Sequence, residues 1–185
     1  MSASGAKVAM KQLYGLLDIV EEIQGVPDGI PMSLKQLFKY DLHRYLMYLS
    51  ASDGRIKAEE RDYMNELFDA DMSIQDYVNF INESDTYSID FENDVPMSMK
   101  IMALFDAKCD ALGKRIGDNL PNMVPLILDF YKKVGLEFIA CDGNIAEQEK
   151  KDLLAYLAKK HLVLAQIIET FDVEDAGRIG KKKGI

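Results

Sequence analysis

Ala51-Ser52-Asp53-Gly54-Arg55-Ile56-Lys57-Ala58-Glu59-Glu60 returns 89 residues later as Ala140-Cys141-Asp142-Gly143-Asn144-Ile145-Ala146-Glu147-Gln148-Glu149. Five of the ten aligned positions are identical, and they spell Ala-x-Asp-Gly-x-Ile-x-x-x-Glu. Ordinary residue frequencies give fewer than about one such match by chance. The likeness continues in Arg61 and Lys150, Met64 and Leu153, and Phe68 and Leu157. Each copy sits between a long amphipathic stretch and a shorter one. The chain therefore reads as two related helical halves packed face to face around one core.

Helical spacing extends outward from both copies. Val8, Leu13, Leu16, Leu17, Val20 and Ile23 recur at intervals of three and four, which predicts a helix over 8–24. Two prolines and two glycines in 25–31 end it. Ser33 and Gln36 have capping-box spacing and open a helix over 34–50, with Leu37, Phe38, Leu42, Tyr45, Leu46 and Leu49 inward. Further helices are predicted over 58–68 and over 74–82, the latter capped by Ser73, then over 97–115, 122–140, 147–159 and 162–171. Strand-like alternation is nearly absent, so the fold class is all-α: a compact multi-helix domain over 1–172. Its halves span about 8–84 and 97–171, joined by an acidic connection over 85–96. A basic tail, 173–185, is expected to be flexible.

The residue types in the repeated pattern each have a local reason. Glycine permits the left-handed backbone that ends a helix. Isoleucine plugs the turn into the core, and aspartate suits turn geometry. Glutamate falls near the third position of the next helix, where a carboxylate accepts backbone N–H groups. This local-capping account needs no ligand. A second account uses the same atoms: if a pseudo-twofold axis relates the halves, Asp53, Glu60, Asp142 and Glu149 converge. Four carboxylates without His or Cys favour a hard cation, Ca²⁺, Mg²⁺ or Mn²⁺. Glu59 and Glu147 are further acids on the same turns and read as solvated first-turn residues. An EF-hand is excluded. Its first and third ligand positions are Leu49 and Ala51 in one copy, Phe138 and Ala140 in the other.

The duplicated signature resembles that of TerB-like (tellurite-resistance) domains, over about residues 34–171, with 8–24 an N-terminal addition or the first family helix. The resemblance implies an all-helical fold of two pseudo-symmetric halves and a part in tellurite resistance and wider stress response. It also implies acidic residues that bind a divalent metal. Residue by residue, Asp53, Glu60, Asp142 and Glu149 match the motif carboxylates. TerB-like domains act with membrane-associated partner complexes and occur attached to J-domains, which implies a protein partner and a scaffolding or sensing role. The 83–96 insert and the basic tail depart from the compact family form.

Composition narrows the alternatives. The formal net charge is −9. Residues 178–185 carry four positive charges and no negative ones, which leaves −13 on residues 1–177. An acidic body disfavours nucleic acid. No apolar run approaches the roughly 20 residues of a membrane span. No secretory signal is read, and two cysteines, Cys109 and Cys141, fit free thiols in a cytoplasm, Cys141 as a small buried filler. The expected location is cytoplasmic, peripheral to the inner membrane face where the partner complex is membrane-associated. No Gly-rich phosphate loop, nucleophile elbow or His-Glu-x-x-His is present, so no enzyme is expected. His43 and His161 are each lone. Met99, Met102 and Met123 sit at core spacings, which favours packing over a methionine-lined peptide groove, and Tyr40, Tyr45 and Tyr48 read as a helix face. Three classes remain: a cation-binding module coupled to a protein partner, a purely structural interaction or scaffold domain, and a hydrolase using a carboxylate-bound metal through Glu60 or Glu149.

Overall fold

The computed structural model describes residues 2–50, 56–83, 94–111, 120–143 and 147–171. Among these residues lie seven helices and no strand: α1 (Ser4–Gln24), α2 (Leu34–Ser50), α3 (Ala58–Phe68), α4 (Ile74–Glu83), α5 (Met97–Ala111), α6 (Met123–Ile139) and α7 (Glu147–Glu169). The fold is all-α, as the periodicity predicts. The basic tail and most of the acidic connection lie outside the described residues, as does 112–115, the predicted end of the α5 stretch.

Local signals account for several helix starts. Ser33 N–H donates to Gln36 Oε1 at 2.9 Å, and Gln36 N–H returns to Ser33 Oγ at 3.3 Å, completing the capping box before α2. Ser73 and Asp76 make the same reciprocal pair before α4, at 2.8 and 3.2 Å. Asn65 clamps the turn between α3 and α4. Its amide donates to Met72 O at 2.9 Å, and its carbonyl accepts Met72 N–H at 3.0 Å and the Tyr77 hydroxyl at 2.8 Å.

Other helix starts take their caps from distant helices. Glu66 on α3 accepts Ala3 N–H at 3.0 Å, ahead of α1. Glu21 on α1 accepts Leu34 N–H, the first of α2, at 2.7 Å. Asp41 on α2 accepts Ser98 N–H and Ser98 Oγ–H at the start of α5, at 2.8 and 2.7 Å. Asp106 on α5 straddles the start of α6, taking Met123 N–H and Val124 N–H at 2.9 and 2.8 Å. Asp41 and Asp106 are buried. A carboxylate on the unpaired N–H groups of a helix start satisfies donors and meets the positive end of the helix dipole together.

Two predicted boundaries move. α1 starts at Ser4, not at Val8, and Val8 is 60% exposed. The buried stripe is Ala6, Met10, Leu13, Leu17 and Val20, because the Glu66 cap pulls the helix start upstream. The predicted helices 147–159 and 162–171 are one, α7. The Lys159-Lys160-His161 triplet resembles a polar break. Yet Lys160 is buried and continues the stripe Leu153, Tyr156, Leu157, Leu164, while Leu162 faces solvent. Lys160 Nζ donates to Asp94 O and lies 4.6 Å from the centroid of the Tyr156 ring.

The core gathers α2, α5, α6 and α7, with α1 laid across α2, α3 and α6. Phe38 touches the Phe130 and Tyr131 rings, and Tyr45 touches those of Tyr131 and Tyr156. Tyr45 Oη donates to Tyr131 O at 3.1 Å. Met99, Met102 and Met123 are fully buried packing residues. Of the three tyrosines expected on one face, Tyr45 is buried, Tyr40 packs on Phe80 and Tyr48 on Tyr156. Gly135 sits where α2 and α7 press on α6. A Cβ there would stand 2.3 Å from Tyr45 Oη and 2.7 Å from Leu153 Cδ1. Gly135→Ala is expected to lower the unfolding free energy by about 1–3 kcal/mol, read from the urea midpoint; an unchanged midpoint would show that Tyr45 and Leu153 yield freely.

Candidate functional site

The second Asp-Gly turn meets the start of α3. The second copy ends α6. Cys141 N–H donates to Phe138 O at 3.0 Å, Gly143 N–H donates to Ala140 O at 3.1 Å, and Gly143 takes φ +86°, the left-handed geometry that the repeat requires of its glycine. The first copy opens α3. Lys57 N–H donates to Glu60 Oε2 at 2.8 Å, the capping geometry predicted for the motif glutamate, and Glu60 is buried. The copies are joined by Lys57 Nζ, which donates to Asp142 Oδ2 at 3.0 Å, with both side chains less than a third exposed.

Cys141 lies in the same corner. Burial, and then the charges of Glu60, Asp142 and Glu59, push its thiol up to about 11. It stays a neutral thiol at physiological pH, as a buried filler should and a reactive cysteine should not. Behind it, Tyr63 of α3 donates to Glu137 Oε2 of α6 at 3.1 Å and packs edge-on against Phe138. Burial and the Glu137 charge hold that phenol far above its ordinary range.

Of the four carboxylates nominated by the repeat, the corner contains Glu60 and Asp142. Glu149 lies half-buried in the first turn of α7, and Asp53 lies outside the described residues, as do Gly54 and Ile145. Among the described residues, no three of His, Cys, Asp and Glu group as metal ligands. The residue that joins the copies is Lys57, which the motif does not include. Its signal was an asymmetry: the first copy has Lys57 where the second has Ala146.

His43 is buried. Its ring stacks on Phe68 with centroids 3.5 Å apart, and Nδ1 lies 3.0 Å from Lys39 O. Burial lowers its pKa to about 4. His161 lies on the exposed side of α7. Comparison with protein-family models, with curated proteins and with solved structures finds no match to this chain.

Two measurements check this geometry. A double-mutant cycle of Lys57→Met and Asp142→Asn, read by urea unfolding, is expected to give a favourable coupling of about 1 kcal/mol; additive losses would mean the pair does not form in solution. The His43 Hε1 resonance is expected to titrate with a midpoint near 4, and a midpoint of 6 or above would place the imidazole in water.

Proposed function

We propose that the chain is a non-enzymatic, TerB-like interaction module for stress response, acting through a protein partner. In this reading the paired turns hold its halves together through an internal cation, the Lys57 ammonium. The observation that carries it is the Lys57–Asp142 bond across the corner. A shared cation between the two turns is what the duplicated carboxylates lead one to expect, and a tethered ammonium takes that place on Asp142. Glu60 is engaged with Lys57 N–H, which supports capping as its role. The two strongest candidates for chemistry are also quiet. His43 is held neutral against Phe68, and Cys141 is held as a thiol. The stress role and a membrane-associated partner complex are proposed on the resemblance of the signature alone.

A second reading is favoured by the closeness of Glu60, Glu59 and Asp142 to one thiol. Here a divalent cation enters the corner, displaces Lys57 and changes what the partner meets. Thermal melts of the whole chain with and without millimolar Ca²⁺, Mg²⁺ or Mn²⁺ separate the two. The first reading expects no site-specific rise in Tm. A rise that the Asp53→Asn, Asp142→Asn double variant abolishes would replace it with the second, since a ligand of the folded state stabilises by mass action.

A further inference from the structure

The core holds a polar knot away from the corner. Asp41 on α2 is fully buried, and only one of its carboxylate oxygens is used: Oδ2 accepts both Ser98 donors, while Oδ1 has no hydrogen-bond partner. The Tyr156 hydroxyl on α7 is buried and also without a partner, and the buried Tyr131 hydroxyl on α6 lies against the Ser98 side chain. Burial, and next the Asp41 charge, pushes both phenols far above their ordinary range. Tyr45 packs against both rings. An ionised carboxylate fully buried with one bare oxygen is costly, and a proton on that oxygen removes the charge.

We propose that Asp41 is a proton-binding site built into the joint of α2, α5, α6 and α7. The carboxylate takes a proton from solvent onto Oδ1 and becomes neutral. Oδ2 keeps its Ser98 donors throughout, so α5 stays capped in both states. The charges that oppose protonation are Arg44 on α2 and Lys100 on α5. Lys160 on α7 is turned to Asp94 O and the Tyr156 ring. Among them, burial dominates and raises the Asp41 carboxyl to about 6.

The sign follows from linkage. The folded chain holds this proton more tightly than the unfolded one, so it is stabilised below about 3.8 and loses that stabilisation as pH rises through about 6. His43, one turn-half along α2, runs oppositely. Its folded pKa lies near 4 against an ordinary 6.5, so stability is lost as pH falls through that interval. The two slopes overlap and oppose each other, so wild-type stability changes little with pH across it on their account.

Asp41→Asn mimics the protonated carboxyl. Its amide oxygen can accept from Ser98, and it carries no charge at any pH. At pH 7.5 its Tm is expected to equal or exceed the wild-type value, by up to about 5 °C. Between pH 6.5 and 4 it should lose stability more steeply than wild type, because the histidine slope is left unopposed. A variant that is destabilised equally at pH 7.5 and pH 4.5 would reduce Asp41 to a plain helix cap and overturn the proposal. Should the variant fail to fold, the wild-type chain decides. The Asp41 Cγ and Ser98 amide resonances must titrate together near pH 6, and a shared midpoint at or below 4 overturns the proton site.

Discussion

Carboxylates placed on the N-termini of other helices organise this fold. A helix start leaves N–H groups without partners and carries partial positive charge. Glu66, Glu21, Asp41 and Asp106 each answer that need across a long sequence separation. Exposed charges near helix ends are worth about 0.3–1 kcal/mol, and partly buried ones up to about 2. Asp41 and Asp106 lie in the second regime and fix the entry points of α5 and α6, the helices nearest the centre of the core. The acidity of the chain is thus partly architectural. Carboxylates that look like surface charge in a composition are joints in the structure.

The reading of helices from spacing succeeded where apolar stripes and local caps agreed. α2 begins where Ser33 and Gln36 place it, and α3 begins where the motif glutamate Glu60 places it. It failed where a distant residue governed the outcome. The start of α1 depends on Glu66, which no window around Val8 includes. The unity of α7 depends on Lys160 lying in an apolar stripe, where its ammonium reaches a carbonyl. A rule that treats lysine as outward-facing must break the helix there.

The corner shows the same division. The repeat indicates that the two turns are related, and the left-handed glycine and the glutamate cap follow from residue types alone. That the second turn meets the start of α3, and that Lys57 bridges them, is a tertiary fact. A motif search discards Lys57 because the copies differ there. Yet a position at which two related loops differ is where an interaction between them can be asymmetric: one ammonium opposite one carboxylate. The buried Asp41 was equally hidden, because in sequence it is one acid on a helix, indistinguishable from those in water.

The long-range caps also bear on how such a chain can be divided. The repeat in the sequence invites a cut of the chain into two units. In the present chain, however, α5 borrows its cap from α2, and Lys57 reaches across to Asp142. A fragment holding only the later repeat would begin with a bare amide at Ser98 and would lack the ammonium that meets Asp142 at its corner. Each stretch completes the other, and the two behave as parts of a single object.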